Sequence, residues 1–333
     1  MTRGLMAFAA MHIPDFSIQA VARLEPALRG AAIALVEGTP PVWKVTAANR
    51  AAFRAGVELG MTRTLAEQLG SAQIRARAPA QEKAAHAALL DFGWAISPRV
   101  EDTALDTIVL DLAGLSSLFG SDEAIAARLA HRVSLFGLTA QIAVASNLEA
   151  AIHAARGFPG ITLIARGEEA KCLGCLSIRA LNPSAEIFET LQLWGVATCA
   201  ELAALPLPQL SERLGQEGVQ LHRWARGAGA RAMAPAEPRV TFEEEMELEE
   251  SVGELEPLSF LLGRLLDGLC ARLAARSLGV HGVSVRFHLD PCGRKDLQVR
   301  NDKSREKSES SIYEKSLTLP VPMRDSKLLL TLL

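Results

Sequence analysis

The sequence predicts an α+β fold that is divided among several domains. Its 333 residues exceed what one ordinary hydrophobic core holds, so two or more domains are expected. Between residues 7 and 157, apolar strand-like runs alternate with helix-like ones and include hairpin-like pieces, which favours a sheet with helices on one face over a doubly wound fold. From about residue 166 short helices follow one another, which indicates a small all-α domain.

Composition places the chain among globular proteins. Hydrophobic residues make up 49% and charged residues 22%, and no apolar run reaches the length of a membrane span. The N-terminus lacks the features of a secretory signal, and the five cysteines are irregularly spaced. We therefore expect a cytoplasmic protein without a disulfide framework. The net charge of −3 gives no overall attraction to nucleic acid, so any such contact must come from local patches.

Strand and helix signals alternate through the first 165 residues. Apolar runs at 7–13 and 31–38 predict strands, and the helical spacing of 16–24 predicts a helix between them. Residues 46–70 are rich in alanine and predict short helices punctuated by glycines. Residues 99–114 predict two strands with a tight break between them. The remaining signals predict a strand at 139–146 and helices at 80–97, 122–136 and 147–157.

The last third of the chain predicts a linker and a further domain. A Pro-bearing and then acidic stretch at 233–250 follows the short helices and predicts the linker. A helix at 257–277, a strand in "GVHGVSVRFHLD", a charged segment and "SLTLPVP" predict a small α/β domain. The chain ends in the apolar pattern "SKLLLTLL" without a stop signal, so we expect this domain to be truncated.

The corner at "MHIPDF" and the strand "LDTIVLDL" hold the first candidate site. The apolar run ending at His12 predicts a buried strand that turns into a helix, a common location for catalytic carboxylates. Asp106 and Asp111 are five residues apart, and since side chains alternate faces along a strand, they cannot form a paired-carboxylate site. Two interpretations stay open. Either both are solvent-facing residues at the ends of a buried strand, or Asp106 is a metal ligand that needs partners from another strand.

Two glycine-bearing turns in the all-α region form the second candidate site. The first contains Gly195 and Val196 and leads into Thr198, a predicted helix N-cap, and the second runs from Gly215 to Gly218. Such turns expose backbone N–H groups at a helix N-terminus, which bind phosphate without reading base sequence. Glycine also ends helices in ordinary bundles, so two helix C-caps are the alternative interpretation.

The stretch "CGRKDLQVRNDKSREK" is the third candidate, because its basic residues outnumber its acidic ones. A solvated loop is the ordinary interpretation, and a surface that follows a phosphate backbone is the functional one. The residues that we expect to contact DNA are Arg300, Lys303 and Arg305.

Several segments, in order and at suitable distances, resemble the Y-family (translesion) DNA polymerases. They are "HIPDFS" (12–17), "AFRAGVELGM" (52–61), "ALDTIVLDL" (104–112) and "AVASNLEAAI" (143–152). The segments "ALRGAAIALVEG" (27–38) and "LSSLFG" (115–120) also fit the family pattern. The helical stretch beginning "LWGVATCAEL" resembles the family's helix-hairpin-helix thumb. The resemblance implies a palm of mixed sheet and helices, small fingers, a thumb and a partial α/β little finger. The implied bounds are palm 1–36 and 72–165, fingers 37–71, thumb 166–232, linker 233–250 and little finger 251–333.

The metal-binding positions of this family are mostly lost. Its first metal-binding Asp falls at His12, and the Glu beside its second falls at Thr107, whereas the second Asp is kept as Asp106. Two-metal phosphoryl transfer needs carboxylates that hold both ions. A neutral imidazole is a poor ligand for Mg²⁺, which prefers oxygen. The resemblance therefore implies no bound metal, with Asp106 at most a vestige of a metal ligand.

The nucleotide-binding positions also depart from the family pattern. The aromatic residue that screens the sugar 2′-OH falls at Ser17, and the Tyr and Arg before "GV" fall at Arg50 and Phe53. The Lys that precedes a later Pro falls at Phe158. This pattern resembles the ImuB-type, catalytically degenerate members of the family. It implies no catalytic residues, no enzymatic activity and no cofactor.

The same resemblance implies an adaptor role in the SOS response to DNA damage and in translesion synthesis. The implied partners are damaged or primer–template DNA, bound without sequence preference, a sliding clamp, an error-prone replicative-type polymerase and a RecA-like accessory protein. It also implies association with the nucleoid in the cytoplasm and no contact with a membrane. Two alternatives stay open: an active Y-family polymerase that uses Mg²⁺ with atypical ligands, and a palm-type nucleotide-binding regulator.

Overall fold

The computed structural model describes residues 7–39, 42–229, 231–238, 241–248, 251–289 and 311–333. The chain forms two compact units, Met1–Thr241 and Phe242–Leu333. The border between them falls inside the predicted linker. Within the described ranges, no helix is both long and apolar enough to span a membrane.

The first unit contains two sheets and most of the helices. Its strands are β1 (Phe8–His12), β2 (Ile33–Thr39), β3 (Val42–Ala48), β4 (Gln73–Ala76), β5 (Val100–Ala104), β6 (Thr107–Asp111), β7 (Gln141–Ala145) and β8 (Ile161–Leu163). Its α-helices are α1 (Phe16–Ala22), α2 (Arg50–Arg54), α3 (Arg63–Gln68), α4 (Pro79–Trp94), α5 (Ser116–Phe119), α6 (Asp122–Leu135), α7 (Leu148–Gly157), α8 (Glu169–Gly174), α9 (Ala185–Leu193), α10 (Cys199–Ala204) and α11 (Leu207–Ala225). Short 3₁₀ helices occupy Pro26–Leu28 and Ile178–Leu181.

Strand β1 lies at the centre of a mixed five-stranded sheet with the order β5-β6-β1-β7-β8. It is antiparallel to both β6 and β7, and β8 runs parallel to β7. The β1–β6 register places His12 opposite Thr107. This pairing brings the end of the apolar run "FAAMH" to the hairpin turn between β5 and β6.

Helices cover both faces of this sheet. Ala10 and Val109 share a face that packs against α7, and Ile108 points to the other face, where a Cβ atom added at Gly93 of α4 would lie 2.9 Å from its Cδ1. The expectation of helices on one face is therefore wrong. The uninterrupted apolar run in β1 is typical of a strand that is buried on both faces.

The smaller sheet has three strands in the order β3-β2-β4. Strand β2 is antiparallel to β3 and parallel to β4, and α2 and α3 pack on it around Val45 and Ala66. Residues 46–48 belong to β3, so the prediction that helices begin at 46 is wrong there, because the alternating pattern "VWKVT" pairs with β2. The predicted border between palm and fingers at residues 36 and 37 falls inside β2.

The helical region, residues 166–232, shares one hydrophobic core with α7 and the central sheet. This core includes Ile152 of α7, Leu191 of α9, Leu202 of α10 and Leu221 of α11. Helix α11 is interrupted at Gly215, whose φ of 61° and ψ of −150° are not helical. A new helical segment therefore begins directly after this glycine.

The second unit consists of two helices and a two-stranded sheet in the described residues. Helix α12 (Leu255–Ala275) and helix α13 (Ser326–Leu332) pack on strands β9 (Val280–Leu289) and β10 (Ser311–Met323), which are antiparallel. The fully or nearly buried residues of its core are Leu266, Cys270, Leu319 and Leu329. The predicted helix and the strand after it are confirmed, and "SLTLPVP" lies in β10.

Candidate functional site

The end of β1 and the β5–β6 turn bring the three predicted metal-site positions together. His12 is the last residue of β1, and Thr107 is the first residue of β6 and fully buried. Asp106 lies in the turn just before β6. A backbone hydrogen bond of 2.8 Å from the Ile13 N–H to the Asp106 carbonyl holds the turn against the corner. The positions meet because antiparallel pairing aligns the end of β1 with the start of β6.

These side chains form a chain of hydrogen bonds. The Thr107 hydroxyl donates to Asp106 Oδ1 at 2.7 Å, and His12 Nδ1 lies 3.0 Å from Thr107 Oγ1. Because a hydroxyl has one hydrogen, His12 Nδ1 must carry a proton and donate it to Thr107. The hydrogen bonds therefore run from the imidazole to the hydroxyl and from the hydroxyl to the carboxylate. Asp106 Oδ1 is used by the Thr107 hydroxyl.

The Asp106 carboxyl is strongly acidic. Partial burial alone would raise its pKa, but the neighbouring His12 and Thr107 groups and the positive charge of Arg156 outweigh burial and lower the pKa to about 2. Asp106 therefore carries a single negative charge at neutral pH. One charge satisfied by its neighbours does not provide the set of carboxylates that a pair of Mg²⁺ ions requires.

No group of three or more His, Cys, Asp or Glu side chains suited to a metal ion occurs in the part of the chain that the structure describes. Asp111, the other predicted carboxylate, is buried at the far end of β6. It accepts hydrogen bonds from the Arg99 guanidinium at 2.8 Å and from the Ala113 N–H at 2.9 Å. The interpretation of Asp111 as solvent-facing is therefore wrong, because the guanidinium and the amide satisfy its carboxylate inside the fold.

A cleft of about 540 Å³ lies beside this corner, and we call it the corner cleft. It is lined by the start of α1, the end of β3, helix α2, the loop after α2 and the β5–β6 turn. The residues on its surface include Asp15, Phe16, Ser17, Ile18, Ala47, Ala48, Phe53, Leu59, Arg77, Glu82, Leu105 and Asp106.

Two of the four predicted nucleotide-contact positions lie in the corner cleft. Ser17 and Phe53 line it together with Asp106, and Phe53 is 47% exposed. Arg50 is exposed at the first residue of α2 and is not part of the lining. Phe158 follows α7 and packs against the core shared with the helical region. The structure therefore brings Ser17 and Phe53 to Asp106 but not Arg50 or Phe158.

The charge of the corner cleft opposes binding of a triphosphate. Arg77 is the one basic residue among the described lining residues, and it donates to Glu82 at 2.8 and 3.0 Å and to Glu37 at 3.1 Å. The hydrogen bond to Glu82, in particular, raises the pKa of Arg77. Two carboxylates thus compensate this cation, while Asp15 and Asp106 add negative charge. A triphosphate carries about four negative charges and needs uncompensated cations or a metal ion.

The first turn of the helical region does not present free amides. Gly195 N–H donates to the Gln192 carbonyl and Val196 N–H to the Leu191 carbonyl. Glu201 accepts from Thr198 N–H at 2.9 Å and from Ala197 N–H at 2.8 Å. The expectation that the amides of Gly195, Val196 and Thr198 are exposed for phosphate is therefore wrong, because a capping box and the preceding helix use them. Contact of this turn with DNA stays a prediction.

The second predicted turn, Gly215 to Gly218, is confined to Gly215, and Gly218 lies within the helix that follows it. Gly215 breaks α11 with a positive φ, and the helical segment after it contains the buried Gly218. Helix N-termini carry partial positive charge on their first amides. The DNA contact of these two glycines stays a prediction. Arg300, Lys303 and Arg305, the predicted basic contacts, lie outside the described residues.

Sequence reasoning missed the apolar part of the corner cleft. Leu59 and Leu105 line it and are 59% and 53% exposed. Leu105 could have been noticed, because a tight turn between two strands usually holds Gly, Asn, Asp or Ser rather than Leu. Leu59 gives no such signal in a sequence.

Comparisons with known proteins agree with this architecture. Residues 11–156 match the impB/mucB/samB family. The protein ImuB of Caulobacter vibrioides is 29% identical over 210 residues, which cover 63% of this chain and 46% of that relative. DNA polymerase IV of Francisella tularensis subsp. holarctica is 26% identical over 278 residues, covering 82% of this chain and 80% of that relative. The chain thus spans about half the length of the ImuB relatives.

Solved structures show the same fold at low sequence identity. DinB from Sulfolobus solfataricus has a TM-score of 0.56 at 15% identity, over 98% of this chain and 91% of that one. The insertion ternary complex of Dbh DNA polymerase gives the same values. The predicted fold class, that of Y-family polymerases, is confirmed.

Proposed function

We propose a non-catalytic role for this chain, whose residues 11–156 match the impB/mucB/samB family, whose fold is that of Y-family polymerases and whose sequence is similar to ImuB. The protein acts as a DNA-binding adaptor in damage-induced mutagenesis and translesion synthesis. It holds DNA at a lesion and brings an error-prone polymerase to it.

The observation that carries the proposal is the hydrogen-bond chain from His12 through Thr107 to Asp106. In a two-metal reaction, carboxylates at these positions hold the ions between the attacking hydroxyl and the triphosphate. Here a single carboxylate remains, and one of its oxygens is bound to a neighbouring hydroxyl. The compensated Arg77 and the exposed Phe53 in the corner cleft support the same conclusion for the nucleotide.

We place DNA binding in the helical region and in the basic stretch of the second unit. The helical segment after Gly215 offers an N-terminus to a phosphate, and Arg300, Lys303 and Arg305 supply positive charge. Such contacts are independent of base sequence. The proposed protein partners are the sliding clamp, an error-prone replicative-type polymerase and a RecA-like accessory protein, met at the nucleoid in the cytoplasm.

One alternative has a specific observation in its favour. The similarity to DNA polymerase IV covers 80% of that relative, more than the share of ImuB that is covered. An active polymerase with atypical ligands would use Asp106 and a bound Mg²⁺ to extend a primer.

Primer extension by the purified chain separates the two functions. We expect no product with either Mg²⁺ or Mn²⁺, while fluorescence anisotropy reports binding of the same primer–template. Extension that disappears in the Asp106→Ala variant would establish the polymerase instead.

A further inference from the structure

Three large apolar side chains point out of the protein into the corner cleft. Phe53 of α2 is 47% exposed, Leu59 of the following loop 59%, and Leu105 of the β5–β6 turn 53%. They come from three separate elements and meet at one surface. Single exposed apolar residues are ordinary, but several around one concave site indicate a binding surface.

The turn that carries Leu105 is held in place by its neighbours. His86 Nδ1 is 3.0 Å from the Leu105 carbonyl, and His86 Nε2 is 3.1 Å from an Asp102 carboxylate oxygen. The two contacts tie the turn and the strand before it to α4, so the backbone around Leu105 is held while its side chain stays exposed. A pre-positioned apolar group loses little freedom when a ligand covers it.

The floor of the cleft is apolar as well. Phe16 and Ile18 of α1 are 8% and 4% exposed, and Ala48 of β3 is 6% exposed. Its volume of about 540 Å³ lies within the range of about 300–1,000 Å³ that is typical of ligand sites. The cleft therefore has room for a few side chains of a peptide.

The rim of the cleft carries negative charge. Asp15 and Asp106 lie on its α1 and β5–β6 sides, and Arg77 is compensated by Glu82 and Glu37. A ligand that suits this site is apolar where it meets Phe53, Leu59 and Leu105 and positively charged where it meets the two aspartates.

We propose that the corner cleft binds a short segment of a partner protein in which a large apolar side chain adjoins Lys or Arg. Apolar anchors surrounded by matched charges are the usual basis of specific protein contacts. The inference rests on the adaptor role and gives it a site: the cleft beside the degenerate metal positions holds a protein segment rather than a nucleotide.

A displayed library of random peptides, selected on the full 333-residue chain, tests the proposal. The enriched peptides should combine Phe, Leu or Trp with neighbouring Lys or Arg. Leu59→Ser together with Leu105→Ser should weaken their binding at least about tenfold. Leu118→Ser with Leu135→Ser is the matched control, since these leucines are 76% and 73% exposed and lie outside the cleft. It should leave peptide affinity unchanged.

A second variant keeps the test independent of the apolar residues. Asp15 has a left-handed φ of 48°, which Asn adopts readily, so Asp15→Asn removes the charge and preserves the backbone. The Asp15→Asn change should weaken peptide binding about threefold. The affinity that this variant retains should depend less on salt concentration than that of the wild type. Circular dichroism melts check that each variant folds.

Several outcomes would overturn the inference. They are a selection that enriches nothing over empty support, enriched peptides that are acidic, equal binding to the cleft and control variants, or displacement of the peptide by deoxynucleoside triphosphates with Mg²⁺. Anisotropy of the wild-type chain with primer–template reports on the proposed function separately. If the chain binds DNA but no peptide, the peptide site is refuted and the adaptor role stands. If the chain does not bind DNA, the adaptor role is refuted.

Discussion

His12 determines the chemistry at the end of β1, because its ring nitrogen donates to Thr107 and thereby directs the threonine hydroxyl to Asp106. The family resemblance implied that these positions meet, since it assigns all three to one metal site. It could not predict the hydrogen-bond chain, which depends on side-chain rotamers. Nor could it predict that Asp111 is buried, because its partner Arg99 is twelve residues away.

Restoring one carboxylate at His12 should not restore activity. In His12→Asp, Asp106 would gain an acidic neighbour, while Thr107 still supplies no charge and Phe53 still faces the cleft. We expect no primer extension by this variant with Mg²⁺ or Mn²⁺, measured on a labelled primer under single-turnover conditions. Extension by the single variant would show that the site is one residue from function and would contradict this interpretation.

The ionised Asp106 should stabilise the fold in a pH-dependent way. Its pKa falls from 3.8 to about 2 on folding, so the stabilisation is complete above about pH 4 and is lost as the pH falls toward 2. The side chain is 37% exposed, so we expect only about 1 kcal/mol after allowing for solvent screening. Urea unfolding of wild type and Asp106→Asn should differ by that amount at pH 7.

The same comparison near pH 2 provides the control, because the Asp106 carboxyl is then about half protonated in the folded protein and most of its charge-dependent stabilisation is lost. The difference in the free energy of unfolding should shrink toward zero. A difference that stays constant from pH 7 to pH 2 would mean that packing, rather than charge, explains the effect.

Segment 231–238 shows how a predicted linker can be part of a folded unit. Arg231 donates to Glu149 of α7 at 2.6 Å and to Glu101 of β5 at 2.5 and 2.8 Å. Ala234 N–H also binds Glu101, and Ala236 N–H binds the Val100 carbonyl on the edge strand β5. The sequence indicated a linker here because the stretch is Pro-bearing and then acidic. The contacts that hold it connect residues more than eighty positions apart.

Arg231→Ala should destabilise the first unit. The Glu101 and Glu149 side chains are only 5% and 9% exposed, and the change leaves both carboxylates without their cation. We expect a loss of about 2–3 kcal/mol in the free energy of unfolding, together with faster proteolysis around residues 231–238. Lys171→Ala is the control, because its ion pair with Glu168 is largely exposed and should contribute less than about 1 kcal/mol. Equal effects of the two changes would contradict the role assigned to Arg231.

Helix α10 provides a test of the helical region as a phosphate-binding element. The Glu201 carboxylate accepts from the amides of Ala197 and Thr198, the groups that a DNA phosphate would otherwise use. Glu201→Ala should therefore lower the melting temperature but raise DNA affinity about twofold to threefold, since it frees two donors and removes a negative charge.

Fluorescence anisotropy with duplex DNA measures this change. Glu189→Ala on the exposed surface of α9 removes the same charge without freeing an amide. Similar affinities of the two variants would mean that the amides before α10 do not contact DNA.

At the scale of the whole molecule, charge limits how the protein attracts DNA. The net charge is −3, and residues 166–229 contain six Lys or Arg and seven Glu. The overall field therefore does not draw in a polyanion, and binding depends on local groups. The fold was predictable at this scale because several motifs in register identify the polymerase architecture. The apolar lining of the corner cleft was not predictable, because segments that are distant in the sequence form it.

DNA affinity should fall steeply with salt and not vary with base sequence. The logarithm of the binding constant decreases in proportion to the number of phosphates contacted, and each neutralised contact reduces the slope by about one. Lys303→Ala with Arg305→Ala should therefore reduce the slope by about two and weaken binding to all duplexes alike. An unchanged slope in this variant would remove these residues from the DNA contact.

The central claim is that this polymerase fold binds DNA without extending it. The most direct measurement follows one sample of the protein with a fluorescent primer–template, first by anisotropy and then by product analysis after addition of deoxynucleoside triphosphates with Mg²⁺ or Mn²⁺. We predict saturable binding and no extended primer at protein concentrations that bind all of the DNA. Extended primer that is lost in Asp106→Ala would contradict the claim.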